Sequence, residues 1–333
     1  MQRDISAPDP EIHFLGLLFI NPAEEHWVNI KDNSADPLDI YLGCAALCAS
    51  SAAASGHRFS LVTNERTIVI RRLKNAGFSN VPVISFDFRW EIPKSIPFYS
   101  AHFKLELIEA IAAARFGDRV CLIDIDTVFI SPLRNALCHL GGSLMAYDIS
   151  DQIFPHFGFD RVRRDLEYVA ALRLDDPRWY GGEFLMGDAA SFGQLSELIA
   201  ACWERYTRNI GAFHHTGDEM IVSAALNLAV QKGIQVVDIG PLKGIARWWS
   251  SRTGFRQSTF DKVQTSSILH LPADKEFLAS QAKLRYSSAA FLASYERYAR
   301  PKLFFRHIYD VLSFWREYPR KYAGVLRAVP RKK

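Results

Sequence analysis

Two acids separated by one residue, Asp124 and Asp126, stand at the end of the apolar run Arg119-Val-Cys-Leu-Ile. If that run is a strand, side chains two apart share a face, and both carboxylates reach the crevice where open α/β sheets bind ligands. Two hard anionic oxygen donors this close suit Mn²⁺ or Mg²⁺, and such a cation neutralises a diphosphate. Further along, His270 closes a second short apolar stretch and can add an imidazole to the metal shell, while Lys275 can meet a phosphate oxygen. Gly181 and Gly182 remove side chains where backbone must approach a ring-shaped ligand, and Trp248 and Trp249 can offer it a flat apolar face. Each feature has a plainer reading: acids capping a turn, a glycine bulge, a satisfied core histidine, core tryptophans.

These residues need a frame, and the hydrophobic pattern predicts one. Residues 12–20 read as a strand buried on both faces. Asp36 and Pro37 then open an Ala-rich helix closed by Gly56. Residues 58–63 read as a strand, 65–76 as a helix, 81–88 as a strand, and 101–116 as a helix capped by Ser100; the strand 119–125 carries the two acids. Such alternation predicts a doubly wound, mostly parallel α/β sheet with helices on both faces. Beyond Pro132 the pattern loosens. Residues 150–180 read as a loop-rich or helical insertion, 191–209 and 218–231 as helices, and 234–239 and 267–271 as short strands.

With strand-helix units, a helix carrying Lys104 and then the Asp-x-Asp strand end in this order, the chain resembles nucleotide-sugar glycosyltransferases of the GT-A fold. The stretch Trp179-Tyr180-Gly181-Gly182-Glu183-Phe184, followed by Met186-Gly187, is similar to the Tyr-Gly-Gly-x-Phe-x-Gly-Gly segment of family 6, the histo-blood-group type. Asp218-Glu219, followed by a helix with Asn227, resembles that family's His-Asp-Glu-Ser-His-Leu-Asn, with Gly217 where the family has His. His270-Leu-Pro-Ala-Asp-Lys275 resembles the His-x-x-Gly-x-x-Lys of retaining family 8 enzymes, lacking the Gly and one residue shorter. The family 6 resemblance covers roughly residues 100–250. It implies a retaining hexosyltransferase that uses a UDP-sugar and Mn²⁺ or Mg²⁺. Asp124, Asp126 and His270 would hold the metal, and Lys104, Gly181, Gly182 and Lys275 would meet the donor. Trp248 and Trp249 would face a glycan or glycolipid acceptor. Glu219, with Asp218 beside it, would face the anomeric carbon.

Composition bounds the alternatives. With 333 residues, 49% hydrophobic and 23% charged, the chain is an ordinary globular protein and not a disordered one. Net charge is +4, but the last 33 residues hold nine Lys or Arg against Asp310 and Glu317, which leaves residues 1–300 net acidic. A nucleic-acid partner is therefore not expected. Basic residues interleaved with aromatics over 301–333 instead predict a tail that meets an anionic membrane, set apart from a catalytic domain over 1–300. The five cysteines are scattered and read as reduced core residues, no targeting peptide is evident, and residues 40–56 suit a bilayer poorly. A cytoplasmic protein, peripheral on the inner face of a membrane, is the expectation. Two other functions fit parts of the pattern: a haloacid-dehalogenase-type phosphatase using Asp124 and Asp126, and a non-catalytic sugar-nucleotide-binding membrane protein. The first is weakened by the three strand candidates that precede the motif.

Overall fold

The computed structural model describes residues 11–21, 30, 36–93, 96, 98–133, 142–251 and 253–306. Its centre is a seven-stranded sheet in the order β3-β2-β1-β4-β7-β6-β8. The strands are β1 (His13–Leu17), β2 (Arg58–Thr63), β3 (Val83–Ser85), β4 (Arg119–Ile123), β6 (Leu144–Asp148), β7 (Tyr180–Asp188) and β8 (Val236–Asp238). β1, β2, β3 and β4 pair parallel, as do β6 and β8, whereas β7 runs against both of its neighbours, so the sheet is mixed but mostly parallel. A second, three-stranded sheet joins β5 (Thr127–Phe129), β10 (Ile268–His270) and β9 (Ile245–Arg247).

The helices follow from local chemistry where the sequence is explicit. In α1 (Pro37–Ala54) the Asp36 carboxylate accepts from the Leu38 amide, and Gly56, at a φ of 76°, lets the chain leave. This helix has the length and apolar character to cross a membrane, yet 67% of it is buried inside the protein, against β2, β5 and α9 (Lys275–Gln281). It is a core helix. After α2 (Arg66–Asn75), a 3₁₀ turn over Tyr99–Phe103 leads into α3 (Lys104–Ala112). Ser100 therefore lies inside that turn and does not cap the helix; Lys104 instead becomes the first α-helical residue. α6 (Ala189–Asn209) is capped by Asp188 through the Ser191 amide, and α7 (Asp218–Gln231) keeps the bounds its sequence predicts. α3, α6 and α7 pack on one another in sequence, and α7 also packs on β7.

Over residues 144–180 the insertion takes its helical form, and the strands on either side of it were not expected. These residues supply β6, the helices α4 (Ser150–Phe157) and α5 (Phe159–Ala170), and the start of β7, the nine-residue strand that pairs with β4. The glycine pair mimics a turn in the sequence, but both glycines are strand residues.

A separate aromatic core holds α8 (Phe260–Val263), α9 and a last helix α10, residues 288–306, around Trp248, Phe277, Phe291 and Tyr295. The boundary expected at residue 300 falls within α10. Lys302 donates to the buried Asp274 carboxylate at 2.7 Å, and Tyr295 donates to its other oxygen at 2.7 Å. The greater part of the basic tail, 307–333, lies outside the described residues, as does Cys138; Cys44, Cys48, Cys121 and Cys202 are free and buried.

Candidate active site

A cleft of about 430 Å³ opens beyond the C-terminal ends of β1 and β4. β1 pairs with β2 on one side and β4 on the other, so this is the point where the winding of the sheet reverses, where such sheets bind ligands. Leu17, Leu18 and Phe19 line it from β1, and Asp124, Ile125 and Asp126 from the end of β4.

β4 stops at Ile123, two residues earlier than expected, and the two acids lie in the tight link from β4 to β5, fastened by a hydrogen bond from Thr127 Oγ1 to Asp124 O (2.7 Å). Strand register then brings in their partner. β10 pairs antiparallel with β5, His270 opposite Thr127, which sets the imidazole over the link. His270 Nε2 lies 3.1 Å from Asp126 and 3.8 Å from Asp124, and the three possible ligand atoms fall within 4.8 Å of one another. The carboxylates are thus not capping a turn; they converge with an imidazole, as a divalent-cation site requires.

Each aspartate also meets a lysine. Lys104 Nζ lies 2.6 Å from Asp124, 3.2 Å from Asp218 and 2.9 Å from the Gly182 carbonyl. Lys275 Nζ lies 2.6 Å from Asp126 and donates to Pro272 O. Lys275 is thus paired with Asp126 and also lines the cleft. Burial raises the Asp124 carboxyl above its ordinary range in spite of Lys104. Burial acts the same way on Asp126, but there Lys275 and His270 prevail and hold it well below that range. Burial disfavours the imidazolium of His270, and Asp126 more than reverses this, pushing it up to about 9.

The other end of the cleft is built by α7 and β7. Glu219, Ser223 and Asn227 recur every fourth residue on one face of α7 and grip the entry to β7 in turn. Glu219 accepts from Trp179 Nε1 (3.1 Å) and the Gly182 amide (3.2 Å). Ser223 bonds both backbone groups of Tyr180, and Asn227 both of Arg178. Asp218 and Glu219 open the helix without capping it, and their carboxylates face the cleft. Two residues that the sequence reading missed complete this end. Arg247 in β9, one strand over from His270, donates through Nε to Glu183 at 2.7 Å and through Nη2 to both Glu183 and Glu219. Glu183 is fully buried in β7, and the guanidinium keeps its carboxyl far below the usual range although burial alone would raise it. Glu219 is likewise lowered, against burial, by Arg247 and His215. The signal for both was a lone charge inside an apolar strand, in Gly-Glu-Phe-Leu-Met and in Ile-Ala-Arg-Trp-Trp, which demands a buried partner.

Gly181 and Gly182 make room for this network. A Cβ at 181 would sit 2.1 Å from Glu183 Oε2, and one at 182 would meet Asp218 and Glu219 at 3.1 Å. Gly182 lines the cleft and Gly181 does not, so the donor contact expected of Gly181 is replaced by space for the Glu183–Arg247 pair. Trp248 is also withdrawn. It is 2% exposed, packs on Phe260 and Tyr295, and donates its indole N–H to Ser258 O. Trp249 remains in the wall with Phe157 and Phe255.

Four carboxylates that line the cleft, Asp124, Asp126, Asp218 and Glu219, and the buried Glu183 behind them thus face three permanent cations, Lys104, Lys275 and Arg247. The surplus of two negative charges is divided, one among Asp124, Asp126 and Asp218 around the two lysines and one between Glu183 and Glu219 around Arg247. No protein-family model matches the chain, and the search of curated proteins returns no relative.

Proposed function

We propose that this chain is a metal-dependent, retaining glycosyltransferase of the GT-A type that moves a hexose from a UDP-sugar to a glycan or glycolipid acceptor. The observation that carries the proposal is the convergence of Asp124, Asp126 and His270 opposite Glu219, across a cleft at the switch point of the sheet. Asp124, Asp126 and His270 hold a Mn²⁺ or Mg²⁺, whose charge, when bound, offsets the diphosphate of the donor and the surplus of the acids. Lys104 steadies Asp124 and Asp218 together, and Lys275 steadies Asp126. Gly182 lets the sugar lie close to the backbone.

Glu219 is the acid that faces the anomeric carbon. Held ionised by three donors, it is placed to stabilise the positive charge of an oxocarbenium-like state. The apolar wall of Phe157, Trp249 and Phe255 is the side from which an acceptor enters. Phe304 and Phe305, 61% and 68% exposed at the end of α10, continue into the basic tail, and we place this end of the molecule against an anionic membrane surface, on its cytoplasmic face. Salt-sensitive sedimentation of the full chain with anionic but not zwitterionic vesicles tests that contact.

The enzyme reading is tested by incubating the protein with a panel of UDP-sugars and Mn²⁺ and scoring donor hydrolysis and the anomeric form released. Release of the retained anomer supports the proposal. Hydrolysis of a generic phosphomonoester in place of the nucleotide sugars would support the phosphatase alternative, and binding without turnover the non-catalytic one.

A further inference from the structure

We propose that His215 is the proton acceptor of this cleft: its imidazole removes the proton of the acceptor hydroxyl as that oxygen attacks the anomeric carbon. The inference rests on the transferase reading above. A base needs an uncommitted lone pair in reach of the reacting atoms, and among the described acids and histidines of the cleft the others are committed. Asp124 and Asp218 share Lys104; Asp126 is held by Lys275 and His270; Glu219 is filled by Trp179, Gly182 and Arg247. His215 lines the same cleft with no hydrogen bond or ion pair to the described residues.

Its place is defined by rings and by a missing side chain. The imidazole stands perpendicular to Trp179, 5.5 Å between centroids, and Trp179 is the residue whose indole donates to Glu219. On its other side lies Phe98, 5.7 Å away, held in the left-handed region at a φ of 58° that a bulky residue rarely adopts. Gly217 explains itself in the same way. Its backbone, φ −88° and ψ 177°, is extended and open to any residue, but a Cβ there would lie 2.7 Å from His215 Nε2. Glycine at 217 serves to seat the imidazole. The ring thus occupies the space of the side chain that is absent from 217, just before the two acids.

The step balances without a further reactant. The bond from the anomeric carbon to the diphosphate oxygen breaks with its electrons on the phosphate, leaving the oxocarbenium-like centre beside Glu219; a lone pair of the hydroxyl oxygen forms the new bond on the face the diphosphate left, so configuration is retained, and the hydroxyl proton passes to His215 and then to solvent.

The test uses the full chain with Mn²⁺ and UDP-glucose or UDP-galactose, water standing in for the acceptor. His215→Ala and His215→Gln should keep UDP affinity in the presence of Mn²⁺ and lose hydrolysis by about 10²-fold or more. Added imidazole should restore part of the rate to His215→Ala, whose cavity admits it, and none to His215→Gln. Gly217→Ala, which retains His215 but fills its seat, should lose rate as well. Hydrolysis within about threefold of wild type in both His215 variants, or a loss that imidazole does not restore, overturns the assignment. A wild type that shows no Mn²⁺-dependent UDP binding or no hydrolysis overturns the transferase reading itself, and this step with it.

Discussion

The two ends of the cleft use opposite kinds of electrostatics. At one end Asp124 and Asp126 are matched by lysines, compact point charges on flexible stems, with His270 beside them. At the other, Glu183 and Glu219 share the planar fork of Arg247, buried between two strands of different sheets. A lysine ammonium and a divalent cation can trade places around a carboxylate, whereas a fork that fills two carboxylates leaves no room for exchange. Under the proposed function, one end accepts a cation that comes and goes, and the other holds a charge in one place through every turnover.

The largest effect should come from breaking the fixed end. Arg247→Met strands the fully buried Glu183 carboxylate, and chemical denaturation should show a loss of about 3–5 kcal/mol. Lys275→Met strands Asp126 in the same manner, but here added Mn²⁺ should recover much of the melting temperature, which it should not do for Arg247→Met. Equal recovery in both variants would erase the distinction between the ends.

Glu219→Gln sharpens the comparison from the side of chemistry. It keeps the shape of the side chain and removes the charge facing the anomeric carbon, so kcat for donor hydrolysis should fall by about 10²-fold with UDP binding preserved. A variant that loses stability and keeps its turnover would reduce Glu219 to a packing partner of Arg247.

The smallest effect concerns groups at neither end. His13, His57, His102 and His214 are held below the ordinary imidazole range, chiefly by burial. Their folded pKa values are depressed, so the unfolded chain takes up the protons first. Stability should be intact above about pH 6.5 and decline as pH falls below it, whatever the Mn²⁺ concentration. Melting temperatures that stay flat between about pH 7 and 5 would contradict this.

Much of the parallel half of the sheet was legible in the sequence because each element there is punctuated. Asp36-Pro37, Gly56 and Gly77 mark helix ends, whereas α3 stops at Ala112, short of Gly117, and β2 and α7 keep their expected bounds. Asp124, Asp126 and His270 were also legible, since acids and a histidine at the ends of apolar strands are expensive unless used. The failures have a common cause. β7 was hidden because Gly181-Gly182 imitates a turn, and only the side chains of Glu183, Asp218 and Glu219, distant in sequence, reveal why a strand needs two glycines there. Trp248 and Trp249 are adjacent and alike in sequence, yet just past β9 one enters the aromatic core and the other stays in the cleft wall. His215 carried no local signal, because its position depends on the space left at Gly217.

The account stands most directly on the exchangeable end, and calorimetry of UDP binding tests it there. Titration of UDP into the wild-type protein should show an affinity at least about 10-fold higher with Mn²⁺ than with a chelator, because the cation lies between the diphosphate and the two carboxylates. Asp126→Asn should bind UDP weakly and equally in both conditions. An unchanged wild-type affinity on chelation, or full metal dependence retained by Asp126→Asn, would contradict the assignment of Asp124, Asp126 and His270 as the cation site.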